Sequence, residues 1–185
     1  ILHWSPPFNF AALCNFAAAQ AQGEYLLFLN NDCEVTESGW LTALTELAQR
    51  PEVGITGARM CYPDGRLQHA GFIAGPEDSV TAIYEGESTT AEGYFHCLQA
   101  THEVSAVSAA CMMVRRTLFE TLGGFDAENF DYDLADVDLC FRVRQAGYLV
   151  LWTPEATVSH MGGATRLSAA LSTPDPQAAE RCRAA

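Results

Sequence analysis

Positive charge is scarce in this sequence of 185 residues: 10 Lys and Arg stand against 23 Asp and Glu, a formal net charge of −13 with His neutral. The basic footprint by which proteins hold nucleic acid or an anionic membrane surface is therefore missing. An anionic small molecule remains compatible with this balance if a cation mediates the contact. No apolar run approaches the roughly 18 residues that a spanning helix needs, and no signal peptide opens the chain. Internal repeats are absent too. The cysteines, at positions 14, 33, 61, 97, 111, 140 and 182, are odd in number and include no C-x-x-C pair. They suit reduced, buried thiols in a cytosolic protein better than a disulfide framework or a zinc site. Ile1-Leu2-His3-Trp4 has no initiator Met and reads like the interior of a longer chain.

What is present is the composition of one globular domain, 49% hydrophobic and 18% charged, long enough to bury a sizeable core. The pattern predicts a helix over 9–22, with Asn9 as N-cap and Gly23 just past its end. A buried strand over Glu24–Leu29 follows and stops at Asn30-Asn31-Asp32. A second helix is predicted over Ser38–Gln49, a strand over Val53–Met60, a turn at Pro63-Asp64-Gly65 and a return strand over Leu67–Ala74. The acidic stretch 75–103 reads as a mobile surface excursion. Then come a strand over Val104–Val114, a short helix over Thr117–Leu122, a helix over Asp133–Ala146 and a strand over Tyr148–Trp152. A turn at Thr153-Pro154 leads into a run ending at His160, and the tail after Arg166 reads as frayed. Alternating strands and helices imply an α/β layered fold.

Several residues could carry chemistry. Asp32 follows a buried strand, where ligands of open α/β sheets gather, and a hard divalent cation needs such an oxygen ligand. Asn30 or Asn31 could contact a sugar; taken alone, the tripeptide is better explained by an Asx turn. Asp136 and Asp138 lie in the first turn of a helix, which the helix dipole alone would favour. Asp136 could instead be a general base, with Asp138 pairing to Arg142 at i,i+4. His160 could be a metal ligand, the glycines after it could let a loop approach a phosphate, and Arg166 could add a guanidinium contact to an anionic leaving group. His3, His69, His96 and His102 have no paired spacing and read as ordinary surface or turn residues. Ser108 and Cys111 lack a nucleophile elbow, so covalent catalysis has no support.

Taken in order, these pieces resemble a known family. Asn9-Phe10-Ala11-Ala12, Gly23-Glu-Tyr-Leu-Leu-Phe-Leu-Asn-Asn-Asp32, Pro51-Glu-Val-Gly54, Tyr62-Pro-Asp-Gly65, Gln68-His-Ala-Gly71, Gly123-Gly-Phe-Asp126, Asp136-Val-Asp-Leu-Cys140, Trp152-Thr-Pro154 and His160 look like the middle of a family 2 glycosyltransferase, similar to its bacterial rhamnosyltransferase-like members. The resemblance implies a GT-A fold, a mixed sheet flanked by helices, over residues 1–166 with a flexible tail at 167–185, and places the family's first strand-helix units before Ile1. It implies a nucleoside-diphosphate sugar donor and a divalent cation, Mn²⁺ or Mg²⁺. Asp32 stands at the DxD-type motif and His160 at the second protein ligand, so both would hold the metal. Asn30, Asn31, Asp32 and Arg166 would contact the donor, and Asp136 matches the catalytic base. Asn30 replaces the motif's first Asp, and Ala135 precedes Asp136 where many relatives carry Glu or Asn.

The reaction so implied is inverting transfer to the hydroxyl of a saccharide or lipid-linked saccharide, of the cell-surface polysaccharide type. The setting is cytoplasmic, at most peripheral to the inner membrane, with no nucleic-acid partner. The rival reading is a truncated, non-catalytic packing or partner-binding module; a metal-dependent phosphoesterase would want more carboxylates and histidines. An isolated chain of this kind is expected to be marginal in stability or self-associating.

Overall fold

The computed structural model describes residues 1–75, 80–131 and 133–161. Arg166, the two glycines after Met161 and the 167–185 tail lie outside that range.

Helix α1 (Phe10–Gln20) begins where Asn9 Oδ1 accepts the Ala12 N–H at 2.7 Å, the cap foreseen from the sequence. Strand β1 (Tyr25–Leu29) runs to the Asn30–Asp32 turn and into β2 (Cys33–Val35). Helix α2 (Trp40–Ala48) precedes the long β3 (Val53–Cys61), followed by β4 (Leu67–His69), β5 (Phe72–Ala74), β6 (Val80–Ala82), a kinked 3-10 turn (Tyr94–Gln99) and β7 (His102–Glu103). Strand β8 (Cys111–Arg115), α3 (Arg116–Thr121), α4 (Ala135–Gln145) and β9 (Leu149–His160) complete the described order.

Seven strands make one mixed sheet in the order β1-β8-β3-β9-β2, with β4 on β3 and β7 on β9, while β5 and β6 form a separate hairpin. The pleat decides which helix each strand touches, because successive side chains face opposite sides. Along β8, Cys111 and Met113 pack with Leu44 and Ala48 of α2, whereas Met112 and Val114 join the core under α1, α3 and α4. Gly57 is required at the centre: a Cβ there would lie 2.5 Å from the Val107 side chain.

Some elements differ from the sequence reading, each for a physical reason. The expected turn at Thr153-Pro154 is a bulge inside the single strand β9, where the register against β3 steps from Ala58↔Thr153 to Arg59↔Thr157. Pro154 has no N–H to give a ladder, and the bulge removes that need. The return strand is split at Gly71, whose φ of +99° turns the chain between β4 and β5. Only the end of the Val104–Val114 run is strand; Val104, Ala106, Val107, Ala109 and Ala110 are buried as irregular chain. The 75–103 stretch is no bare excursion in its described part: Leu98 is buried, and Val80, Ile83, Tyr84 and Cys97 pack on the core, although Tyr94 and Phe95 stay exposed. Strand β1, expected to be buried on both faces, has only Leu26 buried.

The Asp138–Arg142 pair forms as its spacing suggested. Arg142 Nε and Nη2 donate to Asp138 Oδ2 at 2.9 and 2.6 Å, while its guanidinium also donates to the carbonyls of Leu122 and Gly124 at 2.8 Å. One side chain thus fastens α4 to the turn after α3. With Asp138 buried, Asp138→Ala leaves this guanidinium without its counter-charge and should cost about 2–3 kcal/mol in chemical denaturation. An unchanged midpoint would show that the brace contributes nothing.

The six described cysteines are free thiols, all buried or half-buried. Burial pushes Cys14 and Cys111 up to about 12, so neither is a poised nucleophile.

Candidate active site

Because β1 and β3 are each antiparallel to β8, and β9 is parallel to β3, the carboxyl ends of β1, β3 and β9 meet at one rim of the sheet. Such rims are where open α/β sheets place ligands. A cleft of about 680 Å³ opens there, and Asn30, Asn31, Asp32, Asp136 and His160 all line it. The structure therefore brings together three elements far apart in the chain, and of the donor residues expected from sequence only Arg166 falls outside the described range.

The Asn30–Asp32 turn is held by backbone. Asn30 N–H donates to Ala110 O at 2.9 Å, Cys33 N–H to Asn30 O at 3.2 Å and Met161 N–H to Asp32 O at 3.1 Å. This pins Asp32 against the end of β9, where Asp32 Oδ1 lies 3.1 Å from His160 Nε2, both side chains being mostly buried.

Gln68 determines which His160 nitrogen faces the carboxylate. Its amide nitrogen donates to the His160 carbonyl at 3.3 Å, so its oxygen is the atom 2.6 Å from His160 Nδ1, and Nδ1 must carry the proton. In the neutral ring Nε2 is then a lone pair aimed at a carboxylate oxygen. Two acceptors at 3.1 Å repel unless a proton or a cation lies between them. The donor set is one carboxylate and one imidazole, with the Cys33 thiol close enough that the three ligand atoms lie within 4.8 Å of one another. Burial holds that thiol protonated, up to about 11, while it donates to Ala110 O. Oxygen and nitrogen donors of this kind fit a hard or borderline divalent cation. Gln68 orients this imidazole, and partners that orient a metal-binding histidine are commonly worth about 10–100-fold in metal affinity. Gln68→Ala should weaken Mn²⁺ binding by about that factor in calorimetry, and unaltered affinity would remove it from this role.

Asp136 sits in the first turn of α4. The chain enters that helix through Leu134 in the left-handed region, φ 66° and ψ 0°, a conformation that costs a non-glycine residue on the order of 1–3 kcal/mol. Both carboxylate oxygens accept backbone N–H groups, Oδ2 from Ala109 at 2.8 Å and Oδ1 from Val137 at 2.9 Å. Burial raises its pKa; those N–H groups oppose the shift, and the nearby Asp133 adds to it. A fixed carboxylate with raised basicity on a cleft wall can accept a proton.

His69 corrects the sequence reading. It is no surface or turn residue but 3% exposed, a cleft-lining side chain that accepts the Ser108 N–H at Nε2 (3.2 Å). Burial, reinforced by His160, lowers it to about 3, so it is neutral at physiological pH. His3 and His96 are exposed as expected. Gln68, Tyr62 and Glu85 also line the cleft without having been singled out as site residues. The Tyr62-Pro-Asp-Gly65 and Gln68-His-Ala-Gly71 strings were the nearest signals for Tyr62 and Gln68, since the turn at Gly65 leads β3 back into β4.

Among solved structures the chain resembles GalNAc-T7 with UDP, GalNAc and Mn²⁺ (TM-score 0.64, 16% identity, 82% of this chain and 30% of that one). It also resembles the mannosyltransferase PcManGT of Pyrobaculum calidifontis with GDP-Man and Mn²⁺ (TM-score 0.54, 16% identity, 93% and 46%). These likenesses establish a GT-A fold. In sequence it is 40% identical over 174 residues to the O-antigen biosynthesis protein RfbC of Myxococcus xanthus, covering 92% of this chain and 13% of that protein. It is 41% identical over 169 residues to the uncharacterized protein y4gI of Sinorhizobium fredii, covering 90% and 18%. It is 33% identical over 130 residues to an N-acetylglucosaminyl-diphospho-decaprenol L-rhamnosyltransferase of Mycobacterium tuberculosis, covering 66% and 42%. The chain thus spans less than a fifth of the first two relatives. The family described as "Glycosyltransferase like family 2" matches residues 10–179, nearly the whole sequence, and the chain belongs to that family.

Proposed function

We propose that this chain carries the catalytic centre of a metal-dependent, inverting glycosyltransferase that moves a sugar from a nucleoside-diphosphate donor to a hydroxyl of a saccharide or lipid-linked saccharide. The observation that carries the reading is the convergence of Asp32, His160 and Asp136 on one cleft. The Mn²⁺ and nucleotide named with two structural neighbours, and the O-antigen and rhamnosyltransferase names of two relatives, lend it support.

Asp32 Oδ1 and His160 Nε2 would hold the cation, and Gln68, by accepting the Nδ1–H of the neutral ring, leaves the Nε2 lone pair for it. When bound, the cation supplies charge neutralisation and Lewis-acid stabilisation of the diphosphate leaving group. That also reconciles an acidic protein with an anionic donor. Asn30 and Asn31 offer amide contacts at the same rim, and Arg166 would add a guanidinium. Asp136 takes the acceptor hydroxyl's proton as its oxygen bonds to the anomeric carbon and the carbon–diphosphate bond breaks. One displacement of this kind, with no covalent sugar–protein intermediate, inverts the anomeric centre.

Calorimetry of the chain with Mn²⁺ and with UDP, GDP and dTDP tests the proposal. Nucleotide binding that appears only with Mn²⁺ is the expected result; silence under every condition would turn the reading to a non-catalytic module.

A further inference from the structure

We propose that Tyr62 and Glu85 form a saccharide subsite in this cleft that accepts a neutral pyranose and rejects an acidic one. The inference rests on the glycosyl-transfer reading and names the class of sugar.

Tyr62 leaves the end of β3 and Glu85 follows β6, and both line the cleft with Asp32, Asp136 and His160. The Tyr62 hydroxyl donates to Glu85 Oε1 at 2.5 Å, which fixes the ring and the carboxylate relative to each other. A pyranose presents C–H groups on one face and hydroxyls at its edge. An aromatic ring beside a carboxylate acceptor matches both, and Phe72 adds further apolar lining.

Charge then sets the selectivity. Asp32, Glu85, Asp133 and Asp136 line the cleft, and no Arg or Lys does so among the described residues. The guanidinium of Arg66 is committed: it pairs with Asp64 at 2.8 Å and lies over the Tyr62 ring, 5.9 Å from its centroid. His69 is buried and supplies no compensating charge. The metal site would neutralise a diphosphate at Asp32 and His160, but a uronic acid beside Glu85 would meet an unmatched carboxylate. Like-charge contacts of this kind weaken association by roughly 10–100-fold.

The ring could belong to the acceptor or to the donor's sugar, and saturation-transfer NMR on the full chain separates the two. One arm uses methyl glycosides of glucose, galactose, mannose and rhamnose against methyl glycosides of glucuronic, galacturonic and mannuronic acid. The other uses UDP-glucose against UDP-glucuronic acid with Mn²⁺. The expected result is saturation of a neutral ring in at least one arm, with the acidic counterpart there at least about 10-fold weaker. Tyr62→Ala should abolish that saturation, and Glu85→Gln should narrow the gap between neutral and acidic sugars. No saturated ring in either arm, equal binding of acidic and neutral sugars, or a signal untouched by both substitutions would overturn the proposal. Cation-dependent nucleotide binding is scored separately. Its presence without sugar selectivity removes the subsite alone, whereas sugar binding without it removes the enzymatic reading and leaves the subsite standing.

Discussion

Asp136→Asn should lower turnover by about 10²–10⁴-fold, the usual contribution of a positioned general base, while Mn²⁺-dependent nucleotide binding stays unchanged. The substitution keeps the side chain's size and removes its ability to take a proton. Wild-type kcat/KM should fall on the acid side at a pH above the ordinary carboxylate range, because burial raises the Asp136 pKa and the base acts only when ionised. The same shift has a stability consequence of opposite sense. A carboxyl group whose folded pKa is raised contributes stability that is fully present below its unfolded pKa and is lost as pH rises through the folded value. As pH rises beyond the ordinary carboxylate range, melts should therefore show the wild type losing ground relative to Asp136→Asn. Undiminished turnover in the variant would remove Asp136 as base; a parallel pH dependence of the two melts would show that burial does not shift it.

Asp32→Ala and His160→Ala should each reduce Mn²⁺ affinity by more than the roughly 10–100-fold assigned to an orienting partner, because a ligand itself is lost. Nucleoside-diphosphate binding should disappear with the metal, since the cleft then presents carboxylates to an anion. Chelation of the wild type should reproduce both losses, and Asp136→Asn should show neither. The contrast between the variants separates metal holding from proton transfer, the two roles proposed for residues on different elements of one cleft. Wild-type Mn²⁺ affinity in both alanine variants would place the cation elsewhere.

The parts legible in the sequence were those where a local rule meets no tertiary competitor. Asn9 capped α1, and Asp138 met Arg142 four residues on. The sheet's irregularities were not legible for a shared reason: an apolar run reports burial, and burial does not distinguish a strand from packed irregular chain. Val104–Ala110 is the clearest instance, buried yet outside the ladder, with the Ser105 and Ala106 N–H groups donating to Phe72 O. The two pieces on either side of Thr153-Pro154 read as separate because a bulge and a turn share their residue types. At the site, Asp32, Asp136 and His160 could be picked out by chemistry and order, but their neighbours could not. Gln68 and His69 owe their positions to β4 pairing beside β3, a long-range fact that leaves no periodic trace. The burial of His69 is not legible because an isolated histidine looks alike in sequence whether it faces water or a packed ring such as Phe72, 4.6 Å away.

Strand β9 ends on His160 after pairing along its length with β3, and its last three residues pair with β2 as well. A one-residue slip of this strand would swing the imidazole to the opposite side of the sheet. Its orientation is therefore guarded by the innermost ladder rather than by a loop. Deuterium should enter the Val158 amide only when the whole domain opens, so the approach of His160 to Asp32 is lost with the fold and not before it.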